Sequence, residues 1–403
     1  MAVPPNTNQE PREITMTNLT RRQATLLAAA TASTSLLWRA GAARAAGTIK
    51  IGGILSLSGP AASFGIPERD IIKAFADNLN GKGGINGRTL EVIFHDDRTD
   101  PTEAVRGASK LIRQDGVVSI LGSTTGNSTL AFLPIAARAQ VPVLALNATS
   151  SVTAASNSFF PWSFRACVNT EQMTQGALDA VVIKNNLKTV GVVYSEDAFG
   201  REGADLTKAL AQKEGKFQVI ETASVPLNAI DLSTTASRIR NAKPDFTFII
   251  SSSAAIAAAF VRSARQIGYD GKIGGTVILA QKAFVDAAGP AGDGTIIAGF
   301  NNWDDPLPKE VELGKTMSAA GIPPAGYGEV LGANGILILA EAIRRIKGDI
   351  TGDAIRASLE TIEAFDGTPM NGKVNITATK HDAYGPEALV ITRVEKGKLV
   401  TVR

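Results

Sequence analysis

The fold is decided by two neighbouring stretches, IKIGGILSLSGPAASFG (49–65) and NGKGGINGRTLEVIFHDDRTDP (80–101). In the first, an apolar run stops at Ser58-Gly59-Pro60, and apolar residues at helical spacing follow it. In the second, the glycine-rich segment 82–87 breaks the helix before another apolar run begins. This order predicts a strand–helix–strand unit with polar loops at the strand ends, where open parallel sheets hold small ligands.

The same alternation of strand and helix patterns continues along the rest of the chain. It includes a helix that starts after Asp100, whose side chain can cap the free N–H groups, a helix over residues 254–266 and a strand over residues 273–279. Only the end differs, because residues 388–394 and 398–402 predict a closing hairpin. Alternation of this kind indicates an α/β fold with parallel sheets flanked by helices. The 403 residues suffice for two domains, and a hydrophobic content of 44% permits a large core.

The charge balance argues against a nucleic-acid partner. The chain has 41 Lys and Arg against 38 Asp and Glu, but five of the basic and two of the acidic residues precede residue 47. The remainder carries 36 of each and no basic stripe, so it lacks the electrostatic signature of nucleic-acid binding. The single cysteine, Cys167, cannot form an internal disulfide, and we expect it to be a buried apolar side chain.

Residues 1–46 have the features of an export signal. Twin arginines, Arg21-Arg22, precede the uncharged apolar segment 26–38, which is too short to span a bilayer comfortably. Ala43-Arg44-Ala45 then has the small-x-small form of a cleavage site. We expect the signal to be cleaved near residue 46 and the mature protein to be periplasmic.

The export route and the start codon stay open. Ala24 stands where twin-arginine signals usually carry a bulky apolar residue, so the signal is twin-arginine-like and the general secretion route remains an alternative. Met16 is a second possible start beside Met1.

Three motifs carry a family resemblance: SGPAASFG (58–65), GKGGINGR (81–88) and HDDRTDP (95–101). In order and spacing they resemble the periplasmic binding proteins of the leucine/isoleucine/valine type, the soluble receptors of ATP-driven importers. The resemblance covers essentially the whole chain after residue 47. It implies a type I fold, in which two Rossmann-like lobes are joined by a hinge of three chain crossings.

The resemblance also implies where the lobes divide. The crossings would lie near Arg165–Asn169, Phe300–Asp305 and Asp366–Gly372. The N-terminal lobe would then comprise residues 48–166 plus 302–368, and the C-terminal lobe residues 167–301 plus 369–403.

In the N-terminal lobe, the loop Gly122–Ser128 consists of small residues and leads into a helix, so its N–H groups can bind a carboxylate. The resemblance places Gly126 where the family has a serine that binds the ligand carboxylate. The N–H contact is retained and the hydroxyl is lost, and Asn127 or Ser128 could supply a substitute.

The next loop and two aromatic residues complete the contacts that the resemblance implies. Asn147 matches a position whose carbonyl takes the ligand α-ammonium group, and Thr149 matches a threonine that binds both ends of an amino acid. Phe64 and Phe199 match tyrosines that contact the ligand, and both keep the ring without the hydroxyl.

The C-terminal lobe departs from the family pattern. A glutamate that pairs with the ligand ammonium becomes Val277, and a further tyrosine position becomes Ser253. A buried ammonium without a carboxylate is costly. Either another acid replaces the glutamate, or the ligand lacks an ammonium group. The candidate acids lie in loops expected to face the cleft or hinge: Glu196, Asp197, Asp304 and Asp305. Trp303 could stack on the ligand.

Signals for catalysis are weak. The two histidines are His95 and His381, and the acids beside His95 point apart on an extended chain. No nucleophile, zinc or nucleotide motif is present in the sequence. We therefore expect a binding protein rather than an enzyme, without metal or cofactor, and we expect it to be a monomer. The resemblance implies that it works with a permease and ATPase in the inner membrane.

The ligand is left between two alternatives. One is a branched-chain or other apolar amino acid, and the other is an aromatic or aliphatic carboxylate, or an amide, without an ammonium group. A periplasmic enzyme or sensory domain is a third, remote reading.

Overall fold

The two stretches at residues 49–65 and 80–101 form the predicted strand–helix–strand unit. In the computed structural model, which describes Met1 and residues 47–402, β1 (Ile49–Leu55) pairs in parallel with β2 (Leu90–Asp96), and α1 (Ala62–Gly81) connects them. The return from α1 requires glycine at Gly84, whose φ is 78° and where a Cβ would lie 2.0 Å from the Arg88 carbonyl oxygen. The predicted export signal lies outside the described residues.

A five-stranded parallel sheet is built on this unit. It also contains β3 (Ser119–Gly122), β4 (Val143–Ala145) and β5 (Ser163–Arg165), in the order β2-β1-β3-β4-β5. Apart from the edge strand β2, the strands are almost entirely buried, as expected for parallel sheets covered by helices.

A seven-stranded sheet has the order β12-β11-β10-β9-β8-β6-β7. Its parallel strands are β6 (Thr189–Ser195), β7 (Gln218–Val225), β8 (Phe246–Ile250), β9 (Lys272–Gly275) and β10 (Ile296–Gly299). The predicted hairpin, β11 (Val390–Glu395) and β12 (Lys398–Thr401), joins this sheet antiparallel to β10.

Helices cover both sheets. Besides α1, the described residues contain α2 (Pro101–Lys110), α3 (Gly126–Arg138), α4 (Thr170–Leu178), α5 (Ala198–Glu214), α6 (Ser233–Ala242), α7 (Ala254–Gln266), α8 (Lys282–Ala288), α9 (Pro308–Ala319), α10 (Gly328–Arg345) and α11 (Gly352–Leu359). Single π-helical turns at residues 111–115 and 179–183 continue α2 and α4. The cap predicted for α2 is present, because the Asp100 side chain accepts hydrogen bonds from the N–H groups of Thr102 and Glu103.

Some elements differ from the sequence-based expectation. The strand predicted over Ile273–Leu279 ends at Gly275, and Val277–Leu279 form a 3-10 turn because they pack into the interior rather than pair. Helices α6 and α8 were not predicted. Only Ala236 and Ile239 are buried in α6, and α8 has seven residues, so neither shows a clear apolar period.

The chain passes between the two sheets three times. The chain leaves the five-stranded sheet after β5 and returns to it after β10, where α10 packs on α1. It leaves this sheet again between α11 and β11. The predicted crossings fall in these three connections. The two sheets fit two lobes, and the stated residue bounds of each lobe stay a prediction.

Candidate ligand-binding site

Loops at the carboxyl ends of both sheets meet around one cavity, where parallel α/β folds place their ligands. The cavity has about 420 Å³ of space free of protein atoms. Its wall is formed by Ala61, Phe64, Thr124, Thr125, Gly126, Leu146, Asn147, Ala148, Thr149, Phe199, Ser252, Val277, Ile278, Phe300, Tyr327 and Leu331. Six of the predicted site residues are among them: Phe64, Gly126, Asn147, Thr149, Phe199 and Val277.

The polar part of the wall is the beginning of α3. Thr125 precedes the helix in an extended conformation and its side chain does not cap the helix, so no hydroxyl covers the first N–H groups. A Cβ added at Gly126 would lie 2.0 Å from the Thr149 hydroxyl oxygen. A serine does not fit there, because Thr149 occupies its place. The start of a helix with exposed N–H groups attracts a carboxylate.

Neither of the proposed substitutes for a serine hydroxyl lines the cavity. The Asn127 Oδ1 accepts a hydrogen bond from the Ala198 N–H at 3.1 Å, and Ser128 is fully buried with a hydroxyl that has no partner among the described residues. Thr149 is the residue that brings a hydroxyl to Gly126. This correction follows from the fold, because β4 and the start of α3 lie side by side.

Asn147 and Thr149 are held by a buried arginine. The Arg165 side chain is fully buried, and its Nη1 and Nη2 donate to the carbonyl oxygens of Asn147 and Thr149 at 2.5 and 2.6 Å. Asp382 balances this charge at 2.7 Å from Nε. Burial would raise the pKa of Asp382, but Arg165 and hydrogen bonds from Thr153 and Asn169 lower it. The Asn147 carbonyl, which the resemblance assigns to a ligand ammonium group, therefore already accepts a hydrogen bond from the Arg165 cation.

The wall that follows the seven-stranded sheet is mostly apolar. Phe199, Val277, Ile278 and Phe300 contribute hydrocarbon surface, and Ser252 contributes a hydroxyl. Among residues 47–402, no charged side chain lines the cavity. Val277 stands at the position expected to be acidic in the family, and the cavity brings no other acid to it.

None of the four candidate acids lines the cavity, and all but Asp305 are engaged elsewhere. Asp197 caps α5, where it accepts hydrogen bonds from the Gly200 N–H at 2.8 Å and the Ser195 hydroxyl at 2.9 Å. Asp304 accepts the Leu399 N–H at 2.7 Å, and Glu196 accepts the Ser224 hydroxyl. These bonds hold loops and helix ends in place.

Trp303 and Ser253 also lie off the cavity wall. The Trp303 indole N–H donates to the Gly326 carbonyl oxygen, so the side chain packs at a crossing. Ser253 caps α7 through a hydrogen bond from the Ile256 N–H, and its neighbour Ser252 faces the cavity instead. Neighbouring residues leaving a strand point in different directions, so Ser252 reaches the cavity and Ser253 does not.

Tyr327 is the main residue that sequence reasoning missed. Its ring stacks on Phe64 with centroids 5.0 Å apart and meets Phe300 edge-on at 5.8 Å, so three rings form one aromatic corner. Burial raises the pKa of Tyr327 well above its ordinary value, so the phenol is neutral. No local sequence pattern marks Tyr327 as a cavity residue. It lies just before α10 and reaches the cavity only because of the way this helix packs.

A carboxyl group lies behind this corner. Glu68 on α1 is fully buried and accepts a hydrogen bond from the Thr124 hydroxyl at 2.6 Å. Burial raises the pKa of Glu68 well above its usual range, and the nearby Asp97 and Glu329 raise it further. A protonated Glu68 adds no negative charge to the cavity.

A profile of the family described as periplasmic binding protein matches residues 48–398. This chain belongs to that family. Its leucine/isoleucine/valine type, inferred from the motifs at residues 58–101, is supported by its relatives. One is an amino acid binding protein of Pseudomonas aeruginosa, 28% identical over 163 residues, which are 40% of this chain and 43% of that protein. Leu/Ile/Val-binding protein homolog 7 of Brucella abortus is 24% identical over 383 residues, 90% and 93% of the two chains.

The match to the first of these relatives thus spans less than half of that protein. Solved structures match this periplasmic binding protein more completely. An extracellular ligand-binding receptor from Rhodopseudomonas palustris HaA2 has a TM-score of 0.79 at 25% identity, covering 88% of this chain and 99% of that one.

Two further structures were solved with ligands. A branched-chain amino acid transporter protein of Thermus thermophilus with bound valine has a TM-score of 0.79 at 18% identity. A solute-binding protein of R. palustris in complex with benzoate has a TM-score of 0.76 at 21% identity. Each match covers 88% of this chain and 95% of the other. At these identities the likeness shows the fold.

The remaining chemistry-bearing residues lie away from the cavity. Cys167 is buried as predicted, and burial raises the pKa of its thiol to about 12. His381 stacks between Phe160 and Phe164, and burial lowers its pKa, which favours the neutral ring. His95 lies on β2. Within residues 47–402, no cluster of acids, histidines and cysteine could hold a metal ion, and none of the helices is both long and apolar enough to span a membrane.

Proposed function

We propose that this periplasmic binding protein is the exported solute receptor of an ABC importer, and that its ligand is a small apolar carboxylate without an α-ammonium group. The observation that carries the choice of ligand is the buried Arg165 guanidinium behind the carbonyls of Asn147 and Thr149. The protein captures its ligand by hinge closure, passes it unchanged to a permease and ATPase in the inner membrane, and acts as a monomer.

The carboxylate binds at the start of α3. The uncapped N–H groups near Gly126 and the Thr149 hydroxyl lie side by side, because no side chain separates them. Among residues 47–402, the Thr149 hydroxyl makes no hydrogen bond within the protein and is available to a ligand oxygen. Backbone donors and one hydroxyl suffice to hold a small carboxylate without a basic side chain.

An α-ammonium group has no partner in this cavity. Val277 replaces the acid that would pair with it, and the Asn147 carbonyl already accepts a hydrogen bond from Arg165. An ammonium placed there would lose its hydration and lie close to a buried guanidinium, which is unfavourable by several kcal/mol. The cavity therefore favours a ligand whose only charge is its carboxylate.

The body of the ligand is apolar. Phe64, Tyr327 and Phe300 form the aromatic corner, and Phe199 and Val277 add to the apolar wall. The same fold holds valine in one neighbour and benzoate in another, so the cavity rather than the fold distinguishes the two classes.

An apolar amino acid is the second candidate. The relatives carry amino-acid-binding names. The resemblance also assigns the Asn147 carbonyl and Thr149 to contacts with an amino acid. A carbonyl oxygen can accept a second hydrogen bond, so the Asn147 carbonyl could still receive an ammonium donor.

The decisive experiment compares two ligands that differ only by the ammonium group. The mature protein is titrated with 4-methylpentanoate and with L-leucine, and with benzoate as an aromatic probe, by calorimetry and thermal shift. We expect 4-methylpentanoate or benzoate to bind at least tenfold more tightly than L-leucine. At 100 times its dissociation constant, a ligand stabilises the protein by about 2.7 kcal/mol. Tighter binding of L-leucine would support the second candidate, and conversion of any probe would indicate an enzyme.

A further inference from the structure

Two polar contacts join α5 to elements of the five-stranded sheet directly. On α3, the Asn127 Oδ1 accepts the Ala198 N–H at 3.1 Å. After β4, the Ser150 N–H donates to both carboxylate oxygens of Glu202, at 2.9 and 3.0 Å. Ala198 and Glu202 belong to α5, which follows β6 of the seven-stranded sheet, whereas Asn127 and Ser150 follow strands of the five-stranded sheet.

Glu202 is the charged member of this pair of contacts. Its carboxylate lies at the start of a short 3-10 turn, Ser150–Val152, where free N–H groups favour an anion. Hydrogen bonds to an ionised acceptor are about twice as strong as neutral ones. Glu202 does not line the cavity, so its contribution is separate from the ligand contacts.

The contact made by Glu202 is continuous with the ligand-binding loop. Ser150 follows Thr149, whose hydroxyl lies at the carboxylate position and whose carbonyl accepts from Arg165 at 2.6 Å. Arg165 in turn pairs with Asp382 near the third crossing. Glu202, the Thr149 loop and a crossing are thus linked through one run of hydrogen bonds.

We propose that Glu202 is a latch residue that holds the two lobes shut over the ligand and thereby sets its residence time. The inference rests on the proposed function, because the shut form is the form that binds. Ligand enters the open form, which lacks the latch, so the association rate does not depend on Glu202. Dissociation requires the Glu202–Ser150 contact to break, so the dissociation rate depends on Glu202.

The first test measures binding kinetics for Glu202→Leu, with 4-methylpentanoate, benzoate and L-leucine as probes. We expect the dissociation rate to rise about tenfold with the association rate unchanged, and Glu202→Gln, which keeps one acceptor oxygen, to show a smaller increase. Asp205→Asn is the matched control, since it removes an exposed acid on the same helix. A structural role alone would lower the unfolding temperature without separating the two rates.

The second test needs no ligand and so separates the latch from the proposed function. Asn127→Cys and Ala198→Cys are combined, and disulfide formation under mild oxidation reports how often the lobes close; the buried Cys167 does not interfere. We expect adding Glu202→Leu to slow this cross-linking several-fold and Asp205→Asn to leave it unchanged. Equal cross-linking with and without Glu202 overturns the latch, whereas failure of every probe to bind the unchanged protein overturns the proposed function alone.

Discussion

The two walls of the cavity differ in chemistry. The wall that follows the five-stranded sheet presents backbone N–H groups and the Thr149 hydroxyl, and it is stiffened by the buried Arg165. The wall that follows the seven-stranded sheet presents Phe199, Val277 and Phe300 and no charge. Under the proposed function, the first is an anchoring wall, which binds an anionic group that many solutes share, and the second is a selecting wall, which responds to the rest of the molecule. Class recognition and ligand choice are therefore located on different sides of one cleft.

Among changes to the anchoring wall, we expect Gly126→Ala to reduce ligand binding most. The added Cβ would lie 2.0 Å from the Thr149 hydroxyl oxygen, so the loop or Thr149 must move. We expect affinity for the ligand to fall at least 100-fold, about 2.7 kcal/mol, as measured by calorimetry. Gly314→Ala on α9, where a Cβ meets nothing within 4 Å, is the control and should leave binding unchanged. Normal affinity in Gly126→Ala would remove this loop from the site.

The selecting wall is tested by Val277→Glu. A carboxylate here would repel an anionic ligand and supply the missing partner of an ammonium. We expect binding of 4-methylpentanoate to weaken about 30-fold, about 2 kcal/mol, while that of L-leucine improves. Val277→Gln, similar in size and neutral, separates charge from crowding. Parallel changes for both ligands would show that Val277 does not face the α-position.

A milder change to the anchoring wall is Thr149→Ala. The hydroxyl makes no hydrogen bond recorded within residues 47–402, so its loss should cost binding rather than folding. We expect about a tenfold loss of affinity, about 1.4 kcal/mol, with an unliganded melting temperature close to the original. Thr149→Ser keeps the hydroxyl and should restore binding. Equal loss of affinity and stability would indicate a structural role.

The smallest expected effect concerns the joint between the two walls. Glu310 on α9 accepts the N–H groups of Leu307 at 2.9 Å and Asn302 at 3.4 Å, at the second crossing. Burial raises its pKa to about 7, so the folded protein keeps a proton that the unfolded chain releases near pH 4.5. The stabilising contribution of Glu310 is therefore fully present below about pH 4.5 and is lost as the pH rises to about 7.

Glu310→Gln removes this titration. We expect the decline in unfolding free energy between pH 5 and pH 8 to shrink by on the order of 1 kcal/mol in denaturant titrations. Some decline should remain, because burial also raises the pKa of Glu329 to about 7. An unchanged decline in the variant would mean that Glu310 does not titrate in this range.

Much of the fold could be predicted because it depends on local patterns. Helix α7 spans the predicted residues 254–266, and most of the other predicted strands and helices are present with ends shifted by a few residues. The elements that were missed, α6 and α8, have few buried residues and so lack a readable period. The strand predicted through Val277 ends early, at Gly275. Its last apolar residues, Val277–Leu279, are buried at the cavity wall and in the core and do not pair with another strand.

The site was predicted in part, for a related reason. Gly126, Asn147 and Thr149 follow strands, so motif order places them at the same sheet edge. Ser253 caps α7, one residue away from the Ser252 that lines the cavity. Asp197 and Asp304 were proposed as ligand contacts because their loops were expected to face the cleft. Instead, Asp197 caps a helix and Asp304 binds the Leu399 N–H. Tyr327 lies far along the chain from Phe64 and gave no signal.

The amino-acid sequence alone determines the α/β alternation, the balanced charge after residue 46, the family and the presence of Val277 where the family pattern has an acid. Each of these depends on residue identity or on spacing along the chain. Three-dimensional packing adds what depends on distance between remote segments. It places the Thr149 hydroxyl where a serine would have been, the Arg165 guanidinium behind the carbonyl assigned to an ammonium, and Glu202 against Ser150. Contacts between segments dozens of residues apart arise from the assembled core, and no local pattern encodes them.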